Sequence, residues 1–169
     1  MATRGREATG LRLERADRDD PEVRALYEPF IHEADGPLAE ENPGGDPVDL
    51  QAEIAAGPPA DLAPPTGVLL LARVDGRAAG IGGVRHLDTE LAEIKSMFVA
   101  PEFRGRGIGR ALLEELHRIA AQRGCRAVRL DTSDYLIAAI NLYRSSGYAE
   151  VPDYNGNPKA DTWFERPLP

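Results

Sequence analysis

Cysteine occurs once in these 169 residues, at Cys125, so no internal disulfide can form and a reducing, cytoplasmic setting is expected. No apolar run approaches the roughly 18 residues of a membrane helix, and no signal-peptide pattern is present, so neither membrane nor export is expected. Positive charge is scarce as well. Lys and Arg total 20 against 28 Asp and Glu, a net charge of −8, with an isoelectric point near 4.9. That balance argues against a nucleic-acid surface, which needs a basic footprint. Lysine itself is nearly missing, two residues against eighteen arginines, a bias read here as genomic. The three histidines, His32, His86 and His117, are scattered without metal-ligand spacing, so no metal is expected. A nucleophile elbow of the Gly-x-Ser-x-Gly type is absent. Cys125 follows Gly124 with no histidine beside it in the chain, which favours a buried small residue over a nucleophile.

What is present suits a soluble globular domain: 42% hydrophobic and 28% charged residues. Residues 1–9 are polar and expected to be disordered, and residues 10–169 are expected to form one domain. Leu11 to Ala16 alternates as a strand. Asp17 to Pro21 then opens a helix carrying Val23, Leu26, Tyr27, Phe30 and Ile31. From Asp35 to Pro65 the chain is rich in Pro, Gly and acid and predicts a long surface excursion, with one short helix over Pro47 to Ala56. Val68 to Val74 and Ala78 to Arg85 flank Asp75-Gly76, a hairpin signal, and Leu91 to Val99 completes an antiparallel meander. An amphipathic helix then runs to Gly124. Ala127 to Leu130 follows as a strand parallel to the one before that helix, then a short helix over Ile137 to Ser145 and two closing strands, at Tyr148 to Val151 and in the tail. His117 is assigned to the polar side of the long helix.

The most informative segment joins strand to long helix: Arg104-Gly105-Arg106-Gly107-Ile108-Gly109-Arg110. Free N–H groups and the positive end of a helix dipole converge at such a start, so the segment suits a phosphate group. No Lys-Ser or Lys-Thr follows the glycines, which excludes a P-loop. A dinucleotide fingerprint fails because Arg110 stands at its last glycine. What remains, Arg104-x-x-Gly107-x-Gly109, resembles the coenzyme A pyrophosphate motif of the GNAT superfamily of acyl-CoA-dependent N-acetyltransferases. With the order of elements, the resemblance covers roughly residues 10 to 168 and is strongest from Leu91 to Tyr148.

That resemblance implies an α/β (α+β) fold, a mostly antiparallel mixed sheet with one splayed parallel pair, flanked by helices. It implies transfer of an acetyl group from acetyl-CoA to a primary amine of a small molecule or peptide, by direct attack in a ternary complex. Met97, Phe98 and Val99 would hold the pantetheine arm and thioester through backbone donors at a bulge. The diphosphate would lie on Arg104, Gly105, Arg106, Gly107, Ile108, Gly109 and Arg110. Tyr143, four residues before Gly147, would be the general acid. Two carboxylates compete as general base, Glu93 first and Asp131 second. An asparagine common in the family is replaced by Leu136. Tyr27, Phe30, Tyr154 and Trp163 are candidates for the acceptor wall. A non-catalytic acyl-CoA-binding module is the alternative, and a homodimer paired through sheets is common among such proteins.

Overall fold

The computed structural model describes residues 10–41 and 49–169. The expected N-terminal disorder and the start of the Pro47 to Ala56 helix lie outside the described residues. Turn chemistry sets the first half. Asp75 and Gly76 both take positive φ, 50° and 80°, and join strands β2 (Gly67–Val74) and β3 (Arg77–His86) as a tight hairpin. Asp88 closes the next turn by accepting the N–H groups of Glu90 and Leu91 at 2.7 and 2.8 Å, ahead of β4 (Leu91–Val99). With β1 (Leu11–Arg15) antiparallel to β2, four strands form the predicted meander.

Helix α3 (Ile108–Gln122) then crosses over, and β5 (Ala127–Thr132) returns parallel to β4. The tail strand β7 (Thr162–Pro167) inserts between β5 and the short β6 (Ala149–Val151), giving the order β1-β2-β3-β4-β5-β7-β6. The two sheet faces can be told apart from adjacent glycines, since successive strand residues point to opposite sides. A Cβ on Gly80 or Gly82 would meet Leu112 or Leu116 of α3, whereas one on Gly83 would meet Leu62. Leu62 is 1% exposed, so the segment before β2 is partly core and not wholly a surface excursion. Helix α1 (Pro21–Glu41) packs on the Leu62 side, where Phe30 touches Phe98, the partner of Ile81.

Helix α1 is also longer than the sequence predicts, passing through Pro29 and Pro37. Its buried stripe explains why. Val23, Leu26, Tyr27, Ile31 and Asp35 recur at helical spacing on the sheet side, while Pro29 faces solvent. Tertiary burial of that stripe outweighs the roughly 3 kcal/mol that an interior proline costs. Helix α2 (Leu50–Ala56) starts at Asp49, whose carboxylate accepts the Ala52 N–H at 3.0 Å. Its last carbonyls are met by Arg18 and Arg24, which donate to Ala56 O and Ala55 O and so tie α2 to α1. No helix among the described residues is long and apolar enough to cross a membrane.

His117 contradicts the expectation of a polar helix face: it is 6% exposed, beneath β6 and β7. Arg166 lies 2.8 Å from Nδ1 and can only donate, so Nδ1 accepts. Nε2 therefore carries the proton and donates to Tyr148 Oη at 2.6 Å. Burial and the Arg166 charge hold the imidazole down to about 4. An unfolded histidine takes its proton near 6.5, so between these values the unfolded state binds more protons, and this contribution to stability falls as the pH is lowered. It is fully present above about pH 6.5. Denaturant unfolding from pH 7.5 to 4 should show a loss of roughly 3 kcal/mol that is absent in His117→Asn.

Candidate functional site

The parallel pair of strands is short. Only Leu91 to Glu93 pair with Ala127 to Arg129, after which β5 continues with β7 and β4 diverges. At the start of the gap β4 is bulged. Ile81 opposes Phe98 and Gly83 opposes Lys95, so Gly82 alone faces Ser96 and Met97. Ser96 takes φ 58°, a left-handed conformation uncommon for a non-glycine residue. A Cβ on Gly82 would come within 2.5 Å of Met97 Sδ, so glycine there makes room for the bulged side chain. Splay and bulge therefore fall where the family resemblance implies them.

Beyond the gap, Pro101–Phe103 forms a single 3-10 turn, and Gly105 and Gly107 take φ 75° and 79° before α3 begins. None of the backbone N–H groups from Gly105 to Arg110 has a protein acceptor among the described residues. A Cβ at Gly105 or Gly107 would find nothing within 4 Å, whereas one at Gly109 would press Leu142 at 3.2 Å. Gly109 thus allows helix α4 (Ile137–Ser145) to approach, and Gly105 and Gly107 leave the loop open. Arg110 fastens the same approach by donating to Ser145 Oγ and Ser146 Oγ at 2.7 and 3.2 Å. Arg104 donates to Val99 O at 2.8 Å and to Glu33, holding the loop against β4. Arg106 behaves differently: its guanidinium lies over the Phe103 ring and does not line the cavity that the loop borders.

Two cavities meet at the splay. One, about 340 Å³, is bordered by Met97, Phe98 and Val99, by the glycine loop and by α4. The other, about 240 Å³, lies between α1, α2 and the β6–β7 loop, with Tyr27 and Phe30 in its wall. Met97, Ala139 and Tyr143 border both. Tyr143 is 6% exposed, its ring packed on Tyr148 and Phe164. Its hydroxyl has no hydrogen bond to any described protein group, and burial, then the nearby Asp131, pushes the phenol well above its ordinary range. The ring is packed in the core, and the residue borders both cavities. Leu136 caps α4 without a side-chain hydrogen bond and lines the smaller cavity.

The two carboxylates part company. Glu93 is 1% exposed and borders neither cavity. Arg85 donates to its Oε1 at 2.9 and 2.7 Å, and Tyr154 to its Oε2 at 2.7 Å. Asp131 lines the smaller cavity from within β5, facing Lys95 Nζ at 3.4 Å and accepting from Asn155 Nδ2 at 2.6 Å. Trp163 donates to Asn155 Oδ1 at 2.9 Å, so Tyr154 and Trp163 buttress the carboxylates behind the cavity instead of walling it. Sequence reasoning missed Asn155, Asp35, Glu53 and Lys159. Asp35 lies on α1 beyond the predicted stripe, Glu53 on the short α2, and Asn155 and Lys159 on a loop without periodicity, so only the fold gathers them.

Cys125 also differs from expectation in one respect. His86 Nδ1 stands 3.3 Å from its sulfur, a partner 39 residues away in the chain. Arg123 donates to His86 Nε2, so the Nδ1 proton points at sulfur and the histidine cannot accept the thiol proton. Burial raises the thiol further, which leaves a packed cysteine that borders neither of the two cavities.

The profile of the acetyltransferase (GNAT) family matches residues 21–148. An IAA acetyltransferase from Azospirillum brasilense is 38% identical over 111 residues, 63% of this chain and 72% of that protein. An uncharacterised N-acetyltransferase of Schizosaccharomyces pombe is 34% identical over 113 residues, 66% of this chain and 69% of its own length. In fold, an acetyltransferase from Streptococcus agalactiae superposes with TM-score 0.72 at 18% identity, over 94% of this chain and 99% of its own. The PaiA N-acetyltransferase of Thermoplasma acidophilum, solved with coenzyme A, gives 0.71 at 16%, with the same coverage. Because the family profile spans most of the chain and the splay, bulge and glycine loop occur together, this protein belongs to the GNAT family of acetyltransferases.

Proposed function

We propose that the protein transfers an acetyl group from acetyl-CoA to a primary amine, the coenzyme occupying the larger cavity and the acceptor the smaller. The observation that carries this is the meeting of the two cavities at Met97 and Tyr143. The diphosphate is met by the unbonded N–H groups from Gly105 to Arg110 and by the α3 dipole. Backbone donors at Met97 to Val99 serve the pantetheine arm and the thioester oxygen, since a bulge frees donors from the ladder. Arg104 and Arg110 shape the loop and add positive charge. Arg106 contributes charge from its seat on Phe103.

Asp131 replaces Glu93 as the favoured base, because it borders the acceptor cavity and Glu93 does not. The amine nitrogen forms a bond to the thioester carbonyl carbon, the carbon–sulfur bond breaks, and the amine proton passes through water to Asp131. The departing thiolate takes its proton from the Tyr143 hydroxyl, which burial keeps protonated at neutral pH. The single packed thiol suits a reducing cytoplasm.

Incubating the protein with acetyl-CoA and a mixture of amines, with mass spectrometry of the products, tests the assignment. An amine gaining one acetyl group supports it; coenzyme consumption without any acetylated amine sinks it. The loop is tested separately. Gly107→Val forces a β-branched residue to φ 79° and fills the open arc. Coenzyme A affinity, read by calorimetry, should drop by roughly tenfold or more.

A further inference from the structure

The only two lysines of the chain, Lys95 and Lys159, both line the acceptor cavity, and no described arginine does. A genomic preference for arginine would act on every position alike, so it does not account for this placement. Arginine's planar fork grips carboxylates bidentately, whereas the lysine ammonium is a compact charge on a flexible stem. The cavity therefore has two ammonium groups set among three carboxylates, and their arrangement is uneven.

At the helical end, Lys159 Nζ lies 3.0 Å from Asp35 and also contacts Glu53, so two carboxylates share one ammonium. One negative charge is left over. Asp35 registers it: 8% exposed, it is pushed up to about 6 by burial and by its hydrogen-bonded neighbour Glu53. At the strand end the groups that line the cavity balance, Lys95 lying 3.4 Å from Asp131, while Glu93 and Asp61 share Arg85 behind it. Tyr27, Phe30, Ile31 and Met97 supply apolar wall to the same cavity. Tyr143 borders it as well, its hydroxyl without a hydrogen bond to any described protein group where a ligand would stand.

We propose that the acceptor is a small aliphatic diamine, one amine held as an ammonium by Asp35 and Glu53 and the other offered uncharged beside Lys95 and Asp131. The inference rests on the acetyl-transfer assignment of this site. A cation at the helical end neutralises the surplus carboxylate. At the strand end a second ammonium would sit beside Lys95, and a like charge nearby lowers an amine's pKa, which delivers the free amine that attack requires. The methylene chain lies along the aromatic and aliphatic wall. A volume of about 240 Å³ falls below the roughly 300–1,000 Å³ of drug-sized sites and suits a short acceptor better than a peptide.

Butylamine, 1,4-diaminobutane and 4-aminobutanoate differ only in their far group and provide the test. The kcat/KM for the diamine should exceed that for butylamine by roughly tenfold or more, with 4-aminobutanoate the poorest. Titration calorimetry on the coenzyme A complex should show the diamine binding and 4-aminobutanoate not. Asp35→Asn and, independently, Glu53→Gln should shrink the diamine's advantage to about threefold or less. Equal or better use of 4-aminobutanoate overturns the proposal while leaving acetyl transfer intact. Diamine binding without transfer to any of the three overturns acetyl transfer and supports the recognition.

Discussion

Replacing Tyr143 by Phe should lower kcat by roughly 10²–10⁴-fold and change coenzyme A affinity by no more than about twofold. The substitution removes one oxygen and keeps the ring, so contacts with Tyr148 and Phe164 persist and folding is preserved. No described protein group bonds the hydroxyl, so its removal strands no described donor or acceptor. Any large effect on turnover must then come from the reacting groups. A coenzyme thiol has a pKa of about 8.5, so the departing sulfur needs a proton less at high pH, and the deficit of the variant should narrow there. Wild-type kcat in the variant at neutral pH would remove Tyr143 as the acid.

The second large effect separates the two carboxylates. Asp131→Asn should lower kcat by roughly 10²-fold or more at neutral pH with little change in thermal stability. The amide keeps an oxygen to accept from Asn155, although the ion contact with Lys95 is weakened. Glu93→Gln should do the reverse. Its oxygens hold Arg85 and Tyr154 inside the sheet, and breaking a buried pair costs up to about 3–5 kcal/mol, less whatever Asp61 retains through its 2.8 Å contact with Arg85. Turnover per folded molecule should stay close to wild type. If Glu93→Gln were inactive yet stable and Asp131→Asn fully active, the order argued here would be inverted.

The contrast between these carboxylates shows where sequence reasoning reaches its limit. Both lie on strands beside the same gap, Glu93 opposite Arg129 and Asp131 two residues further along β5, and period-2 patterning says only which face a residue takes. Whether a carboxylate meets an arginine or a cavity depends on the partner strand and the following loop. Arg85 comes to Glu93 from across the β3–β4 ladder, and Asn155 comes to Asp131 from the β6–β7 segment. His117 illustrates the same limit, since a helix position looks polar until β6 and β7 are laid over it. Helix α1 ran on past two prolines because burial, which has no local signature, outweighed a local penalty.

By itself the sequence determined the strand–loop–helix unit, because glycines at positive φ, an apolar stripe every third or fourth residue and a hairpin turn are encoded within a few neighbours. It likewise determined the order of elements and hence the parallel pair at the centre of the sheet. Only the tertiary structure decided which carboxylate faces the acceptor cavity, and that both lysines stand there with Asp35 and Glu53. Those groups come from helices, strands and a loop up to 124 residues apart. Charges so distant along the chain acquire a common environment only when burial of the sheet and its helices brings them together.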